Sequence, residues 1–332
     1  MKCMTMRRIV AACGVAAIGI GAVQSAGAQT YPVKAVRMFV SSPPGGPGDL
    51  AARGFSQALA AVMGQPFVIE TRPGADGLIA GEACARATPD GHSLCVLDGF
   101  NIAANPAVRL KMPYDTVKDL DPVAHLGALA AAITSNADTP YNTFAEMIEF
   151  ARLNPNKVKW ATYGAAGSPM LYMEWLRNVR NIHLYNVPYK TAPAAFQAVM
   201  SGEVDATIYS LGLTAQQAKG GKVKVIGVNT LNRHPMAPTA PTIRESGIEV
   251  GVILWFGVFA PAGTPRDVVR RLNAESTKNF LNDPALREKF LTASGMVVQD
   301  PAGGPPEAFA EFILKDKANY ANLFKLAKVQ PE

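Results

Sequence analysis

The chain has 332 residues, with 32 lysines and arginines against 26 aspartates and glutamates and a formal net charge of +6. No run rich in lysine and arginine is interleaved with aromatic residues, which argues against a nucleic-acid-binding protein. A chain of this length accommodates two domains with separate hydrophobic cores.

Residues 1–28 have the pattern of a cleavable secretory signal peptide. The first residues are basic, residues 9–22 are uncharged and mostly apolar, and Ala26-Gly27-Ala28 supplies small residues at the cleavage positions. The apolar stretch is too short for a membrane span, and a lipoprotein-type cut before Cys13 would leave almost no apolar region ahead of it. We therefore expect a periplasmic protein that begins at Gln29 and carries 29 basic against 26 acidic residues once Lys2, Arg7 and Arg8 are removed.

The first part of the exported chain alternates strand-like and helix-like segments. Apolar residues with helical spacing cover residues 50–63 and stop at Gly64, and residues 78–87 have the same character. This alternation indicates βαβ units and a mainly parallel sheet. The predicted strands are Val36–Val40, Pro66–Glu70 and Ser93–Leu97.

The pattern restarts after residue 130. Thr143 and Glu146 have the spacing of a capping box, and Asn154-Pro155 ends the helix that this box opens. Further helices are predicted from Ala192 and after Pro265. The predicted strands of this second sheet are Trp160–Thr162, Ala206–Ser210 and Val223–Val228.

Two glycine-rich turns each lie between a predicted strand and a predicted helix. A turn of this kind leaves backbone N–H groups free, and the positive end of the helix dipole favours an anion there. Each turn alone is also compatible with an ordinary βα loop. Asp49 is a candidate general acid but more simply caps a helix starting at Leu50, and Ser168 would cap the helix before Pro169. The ligand-binding candidates are Ser42, Pro44, Gly45, Gly46, Pro47, Gly48 and Asp49 in the first turn, and Gly164, Ala165, Ala166, Gly167 and Ser168 in the second.

No arrangement of residues typical of catalysis is found. The four histidines are scattered, no Cys/His cluster has metal-ligand spacing, and G-x-S-x-G and Walker motifs are absent. We expect no catalytic residue, no metal site and no cofactor. Cys84 and Cys95 remain after signal cleavage, and they either form a disulfide in the oxidising periplasm or stay as two buried thiols.

Short segments spread over nearly the whole exported chain match one family in order. On these segments the chain resembles the Bug-type periplasmic substrate-binding proteins of tripartite tricarboxylate transporters. The matching segments are Tyr31-Pro32, Pro43-Pro44-Gly45-Gly46 with Asp49, Ala52-Arg53, Gly64-Gln65-Pro66, Arg72-Pro73-Gly74-Ala75, Pro89-Asp90-Gly91-His92, Asn105-Pro106, Pro113-Tyr114-Asp115, Val187-Pro188-Tyr189-Lys190, Gly202-Glu203-Val204-Asp205, Trp255-Phe256-Gly257, Ala260-Pro261-Ala262-Gly263-Thr264-Pro265 and Arg271-Leu272-Asn273.

The resemblance implies a type 2 periplasmic-binding-protein fold, an α/β architecture in which two lobes are joined by two crossover strands. Lobe 1 would comprise residues 29–131 and 251–332, and lobe 2 residues 132–250, with one glycine-rich turn from each lobe at the cleft. Backbone amides, hydroxyls and ordered waters would hold a small carboxylate, and closure of the lobes would precede its delivery to an integral-membrane permease. We expect a monomer.

Three places depart from the family pattern. The first turn has Ser42 in place of an aromatic residue and Pro47-Gly48 in place of an Ala-Thr pair, and Tyr209 replaces a common aspartate. The second turn has Ala166 and Gly167 in place of a glycine and a serine, with Met170 in place of a histidine. These changes argue against an amino acid and favour a larger or aromatic carboxylate that stacks on Tyr209, unless they have no consequence. Tyr189 and Thr191 are further candidates for the cleft wall, or they only pack their loop. The alternative functions are an exported enzyme that acts on a carboxylate through Asp49 or Ser168, and a ligand-sensing subunit.

Overall fold

The computed structural model describes residues 31–164, 167–230, 232–248, 253–329 and 331. The predicted signal peptide, the site candidates Ala165 and Ala166, and the predicted lobe boundary between residues 250 and 251 lie outside these ranges.

Eleven strands in the described residues form two sheets. Sheet one has the order β11-β4-β10-β3-β1-β2, and sheet two has the order β7-β6-β8-β5-β9. The strands are β1 Val36–Val40, β2 Phe67–Thr71, β3 Ser93–Asp98, β4 Leu120–Leu129, β5 Ala131–Asn136, β6 Lys159–Tyr163, β7 Tyr185–Tyr189, β8 Ala206–Ser210, β9 Val223–Val228, β10 Leu254–Pro261 and β11 Met296–Val297.

Ten α-helices in the described residues connect or cover these strands. Two local predictions are confirmed: α1 ends at Gly64 in the left-handed conformation, and the Thr143 hydroxyl accepts the N–H of Glu146 at the start of α4. The helices are α1 Pro47–Met63, α2 Leu78–Ala85, α3 Asn105–Val108, α4 Phe144–Leu153, α5 Ser168–Arg180, α6 Ala192–Ser201, α7 Leu211–Lys219, α8 Arg266–Ser276, α9 Pro284–Phe290 and α10 Pro306–Leu326.

Both sheets are mixed, which corrects the prediction of a mainly parallel sheet. In each sheet three neighbouring strands are parallel, β2-β1-β3 in one and β7-β6-β8 in the other. The chain passes between the sheets twice, from β4 to β5 and from β9 to β10. The first strand after each passage runs against its neighbours, so β5 is antiparallel to β8 and β10 is antiparallel to β3. The two sheets and two passages agree with the expected α/β fold, while the lobe boundaries stay predictions.

The hydrophobic core of sheet two continues into the C-terminal helix. One buried cluster contains Trp160 of β6 and Tyr172 of α5 together with Tyr320 and Phe324 of α10. The side-chain amide of Asn178 also donates to the carbonyl of Ala327 at 2.6 Å. Because α10 also packs on β4 of sheet one, it contacts both halves, and the two cores are not fully separate as the chain length suggested.

Cys84 of α2 and Cys95 of β3 are joined by a disulfide, and both residues are fully buried. The bond connects the helix that follows β2 to a central strand of sheet one. No helix in the described ranges has the length and apolar character needed to cross a membrane.

Candidate functional site

A cavity of about 450 Å³ lies between the two sheets, at the carboxyl ends of their parallel strands. Residues at or just after the ends of β1, β3, β6, β7 and β8 line it, and this is the position where α/β sheets bind ligands. Aromatic and aliphatic side chains make up most of its wall. These are Phe100, Leu129, Ile133, Tyr163, Tyr172, Ile208, Tyr209, Leu213, Ile243, Leu254 and Phe256.

Four of the helices in the described ranges begin at this cavity. Gly46 and Pro47 at the start of α1, Ser168 of α5, Ala192 of α6 and Ser210 before α7 all line it. The first turn of a helix has N–H groups without an intrahelical acceptor, and its dipole contributes a partial positive charge. These helix ends therefore contribute partial positive charge to the cavity, and no lysine, arginine or histidine is among the described residues that line it.

The first glycine-rich turn is folded differently from the prediction. The helix begins at Pro47, not Leu50, so Asp49 lies in its first turn and is not its cap. The Asp49 carboxylate accepts the N–H of Gly45 at 2.9 Å and pairs with Arg53 at 2.8 Å, and Gly46 donates its N–H to Pro43. Two of the three predicted ligand-binding amides are thus already engaged within the loop. The first-turn amides of Gly48 and Asp49 are the groups that lack an intrahelical acceptor.

Gly48 does not line the cavity, but its lack of a side chain shapes the turn. A Cβ at this position would lie 2.3 Å from the Ser42 hydroxyl oxygen and 2.8 Å from the Phe256 ring. Ser42, Pro44, Gly45, Gly46 and Pro47 do line the cavity, whereas Asp49 is buried beneath them. The glycine at position 48 therefore allows close packing of α1 on the cavity wall.

The second glycine-rich turn contributes Ser168 to the cavity wall, while Gly164 and Gly167 are not among the lining residues. Gly167 donates its N–H to the carbonyl of Gly164 at 3.3 Å and is itself the cap residue of α5. Ser168 is therefore the first helical residue and not the predicted cap. Its side chain forms a hydrogen bond with Tyr163, another lining residue.

The three remaining candidates have different environments. Tyr209 lines the cavity, and its ring stacks on Phe196 with centroids 4.3 Å apart. Tyr189 is not among the lining residues, and its hydroxyl donates to Glu203 at 2.8 Å. Thr191 is also absent from the wall because its hydroxyl caps α6 by accepting the N–H of Ala194. For Tyr189 and Thr191 the structure favours the role of packing and capping their loop.

Asp98, the last residue of β3, is the charged side chain that the sequence analysis missed. It lines the cavity, and its Oδ1 accepts the N–H of Asn101 at 2.9 Å. Burial raises the pKa of Asp98 to about 6, against the smaller opposing effect of the N–H groups of Asn101 and Phe100. A usable signal existed, since an aspartate at the carboxyl end of a predicted parallel strand lies at the edge where ligands bind.

Sequence and structure comparisons give a consistent set of relatives. A family model described as "Tripartite tricarboxylate transporter family receptor" matches residues 51–323. A UPF0065 protein of Bordetella bronchiseptica is 31% identical over 309 residues, which is 93% of this chain and 90% of that protein. The periplasmic binding protein BugD is similar in structure, with a TM-score of 0.78, 29% identity and coverage of 91% of this chain and 100% of BugD.

Two further similar structures carry a bound ligand. Rpa4515 of R. palustris with adipate has a TM-score of 0.81 and 27% identity, and the match covers 91% of this chain and 100% of that one. MatC from Rhodopseudomonas palustris with bound malate has a TM-score of 0.76 and 29% identity, and the match covers 88% of this chain and 99% of that one.

Proposed function

Since this chain belongs to the tripartite tricarboxylate transporter receptor family, we propose that it captures a small organic carboxylate in the periplasm and delivers it to a membrane permease. Family membership confirms the resemblance drawn from the short motifs. The observation that supports carboxylate binding most directly is the convergence of four helix N-termini on one largely apolar cavity.

The acid group would be held by backbone N–H groups of first helical turns and by the hydroxyls of Ser42, Ser168 and Ser210. These hydroxyls line the cavity beside α1, α5 and α7. A hydrogen bond to a charged group contributes roughly 1.5–3 kcal/mol. Several such bonds, less the cost of ordering the ligand, support a dissociation constant on the order of micromolar. Adipate and malate in the two similar structures are carboxylates, in keeping with this class of ligand.

The ligand body would be apolar or aromatic, because the wall around the polar groups is mostly hydrocarbon. Tyr209 would stack on it with the face that Phe196 leaves free. Contact with groups from both sheets would favour a closed arrangement of the two halves, which is the form that a permease would recognise.

Binding is tested by thermal shift and calorimetry with benzoate, caproate, adipate and malate, each compared with its uncharged amide. We expect at least one acid to raise the melting temperature while its amide does not, since the amide lacks the charge that the helix N-termini attract. Equal shifts by acid and amide would contradict the proposal. Release of a chemically altered product would instead support the enzyme alternative.

The role of Tyr209 is tested separately with Tyr209→Leu, which keeps apolar bulk and removes the aromatic ring. We expect the affinity for benzoate to fall by roughly three- to tenfold and that for caproate to change little, because aromatic pairs contribute about 0.5–1.5 kcal/mol beyond burial. Equal losses for both ligands would contradict a stacking role of Tyr209.

Delivery to a permease is a separate prediction. If it is correct, deleting the gene abolishes uptake of the ligand by the host cell.

A further inference from the structure

Asp98 is an unusual residue for a cavity that binds an acid. Among the described residues that line the cavity it is the one charged side chain, and its charge has the same sign as that of the proposed ligand. The helix N-termini and Asp98 therefore give the cavity a positive and a negative part. A ligand whose only polar group is a carboxylate would complement the positive part and leave Asp98 without a partner on the ligand.

Asp98 has no cationic partner in the part of the chain that the structure describes. Within the described ranges, no lysine, arginine or histidine forms an ion pair with it. The nearby Asp76 carries the same charge and pairs with Arg109, and the charge of Asp98 contributes to the raised pKa values of Tyr114 and Tyr320. A desolvated carboxylate that receives backbone N–H bonds and has no cationic partner gains from any further donor.

Resting on the proposed function, we propose that Asp98 determines specificity by accepting a hydrogen bond from a hydroxyl or ammonium group on the body of the bound carboxylate. The acid of the ligand would lie at the helix N-termini and its donor at Asp98. The ligand class is then a hydroxylated or amino-substituted carboxylate. This differs from the expectation that the loss of an aspartate at position 209 removes the acidic partner of an ammonium group, because Asp98 provides a carboxyl in the same cavity.

Ligands that lack the donor are disfavoured for two reasons. An apolar chain would exclude water from Asp98 without replacing the lost hydrogen bonds. A second ionised carboxylate, as in adipate, would add repulsion in a site of low dielectric. A charge-assisted hydrogen bond from a hydroxyl or ammonium group avoids both costs.

The test uses four ligands of one chain length that differ in their end group: caproate, ε-hydroxycaproate, ε-aminocaproate and adipate. A shorter aromatic pair, benzoate and para-hydroxybenzoate, guards against a mismatch of length. Affinities are measured by calorimetry at about pH 7.5, where Asp98 is ionised, for the wild type and Asp98→Asn. In the wild type we expect a donor-bearing ligand to bind roughly tenfold more tightly than its unsubstituted parent.

In Asp98→Asn we expect this preference to fall to roughly threefold or less, and the unsubstituted parents and adipate to bind more tightly than to the wild type. Wild-type protein that binds the parents as well as the donor-bearing ligands, or a preference that Asp98→Asn leaves unchanged, would overturn the role of Asp98 while the proposed function stands. Failure of both proteins to bind any of the carboxylates would overturn the proposed function itself.

A measurement on the wild type alone covers the case in which Asp98→Asn does not fold. Lowering the pH to about 5 protonates Asp98, so the ratio of the affinities for ε-hydroxycaproate and caproate should decrease. The carboxyl groups of the two ligands titrate alike and cancel in this ratio. A ratio that is constant between the two pH values would also overturn the proposal.

Discussion

Asp49, after β1, and Asp98, the last residue of β3, lie at the carboxyl ends of two parallel strands of sheet one, but their surroundings differ. Asp49 is 1% exposed and has a salt bridge to Arg53 and the N–H of Gly45 as partners. Asp98 borders the cavity and has backbone N–H groups as partners, with no cation paired to it in the described ranges. The paired carboxylate fixes the shape of a loop, and the one without a cation is open to a ligand. An aspartate at the cavity whose charge has no cationic partner in the described residues is therefore a candidate for contact with a ligand.

The largest effect should come from His125, a third buried titratable group, which sharpens the comparison because its ring nitrogens have no hydrogen-bond partner among the described residues. His125 of β4 is packed against Trp255, Phe309 and Phe312, and neither ring nitrogen has a hydrogen-bond partner in the described residues. Burial lowers the pKa of His125 to about 3, below the value of about 6.5 expected in the unfolded chain. The unfolded state then binds the proton first, so stability is lost as the pH falls below the unfolded value.

For His125→Phe we expect the variant to gain about 3 kcal/mol of stability relative to the wild type between pH 7 and pH 4. Urea unfolding at the two pH values measures this gain. The carboxylates that also titrate in this range are present in both proteins and cancel in the difference. An equal difference between variant and wild type at both pH values would show that His125 is not buried in its neutral form.

The Asp49 side of the comparison predicts a loss of stability. Asp49→Ala removes the acceptor of the Gly45 N–H and the partner of Arg53, and we expect a loss of about 2–3 kcal/mol by urea unfolding. Glu82→Ala is the matched control, because Glu82 of α2 and Arg86 just after it form an ion pair with the same spacing, in which Glu82 is half-buried and Arg86 is exposed. This control should cost about 0.5 kcal/mol or less. Equal losses in the two variants would mean that burial adds nothing to the Asp49 pair.

Removing the charge of Asp98 should increase the stability of the protein, whereas removing that of Asp49 should decrease it. Because the pKa of Asp98 is raised to about 6 in the folded protein, its proton stabilises the fold at low pH, and this stability is lost as the pH rises through that value. Asp98→Asn keeps an acceptor for the N–H of Asn101 and removes the charge. We expect it to be about 2 kcal/mol more stable than the wild type at pH 7.5 and equal to it near pH 4. A variant less stable than the wild type at pH 7.5 would contradict the view of Asp98 as an uncompensated charge.

Features that depend on neighbouring residues could be predicted from the sequence, whereas features that depend on the arrangement of the sheet could not. The end of α1 at Gly64 and the cap of α4 at Thr143 depend on neighbouring residues, and both were predicted correctly. The start of α1 was placed three residues too late, because Gly46, Pro47 and Gly48 have the composition of a turn although the last two are helical. The ring of Tyr209 was predicted for the site from a family position, not from its packing on Phe196.

Asp98 was missed because its place in the cavity depends on the order of strands in the sheet. In the sequence it lies about fifty residues from the first glycine-rich turn, and only the pairing of β3 beside β1 brings the two together. The same limit explains Tyr189, which ends β7 at the edge of sheet two, and Thr191, which lies just after it. Local sequence patterns specify helix ends and turns. Which residues line a cavity depends on the order of the strands and the directions of the side chains, and a local pattern contains neither.

The smallest expected effect concerns the loop that Asp49 stabilises. The question is whether the conformation of this loop affects the affinity for the ligand. Gly45 has a φ of +77°, and no heavy atom lies within 4 Å of a Cβ built there, so Gly45→Ala costs backbone strain alone. Gly263 has a φ of +86° with the same open surroundings and does not line the cavity, which makes Gly263→Ala the matched control. Both variants should lose about 1 kcal/mol of stability.

Calorimetry with a carboxylate ligand should show weaker binding, by roughly two- to fivefold, for Gly45→Ala only. The reason is that strain in this loop would shift the N–H groups at the start of α1 relative to the ligand. Equal affinities in the two variants would limit Asp49 and its loop to stability and leave Asp98 as the carboxyl that concerns the ligand.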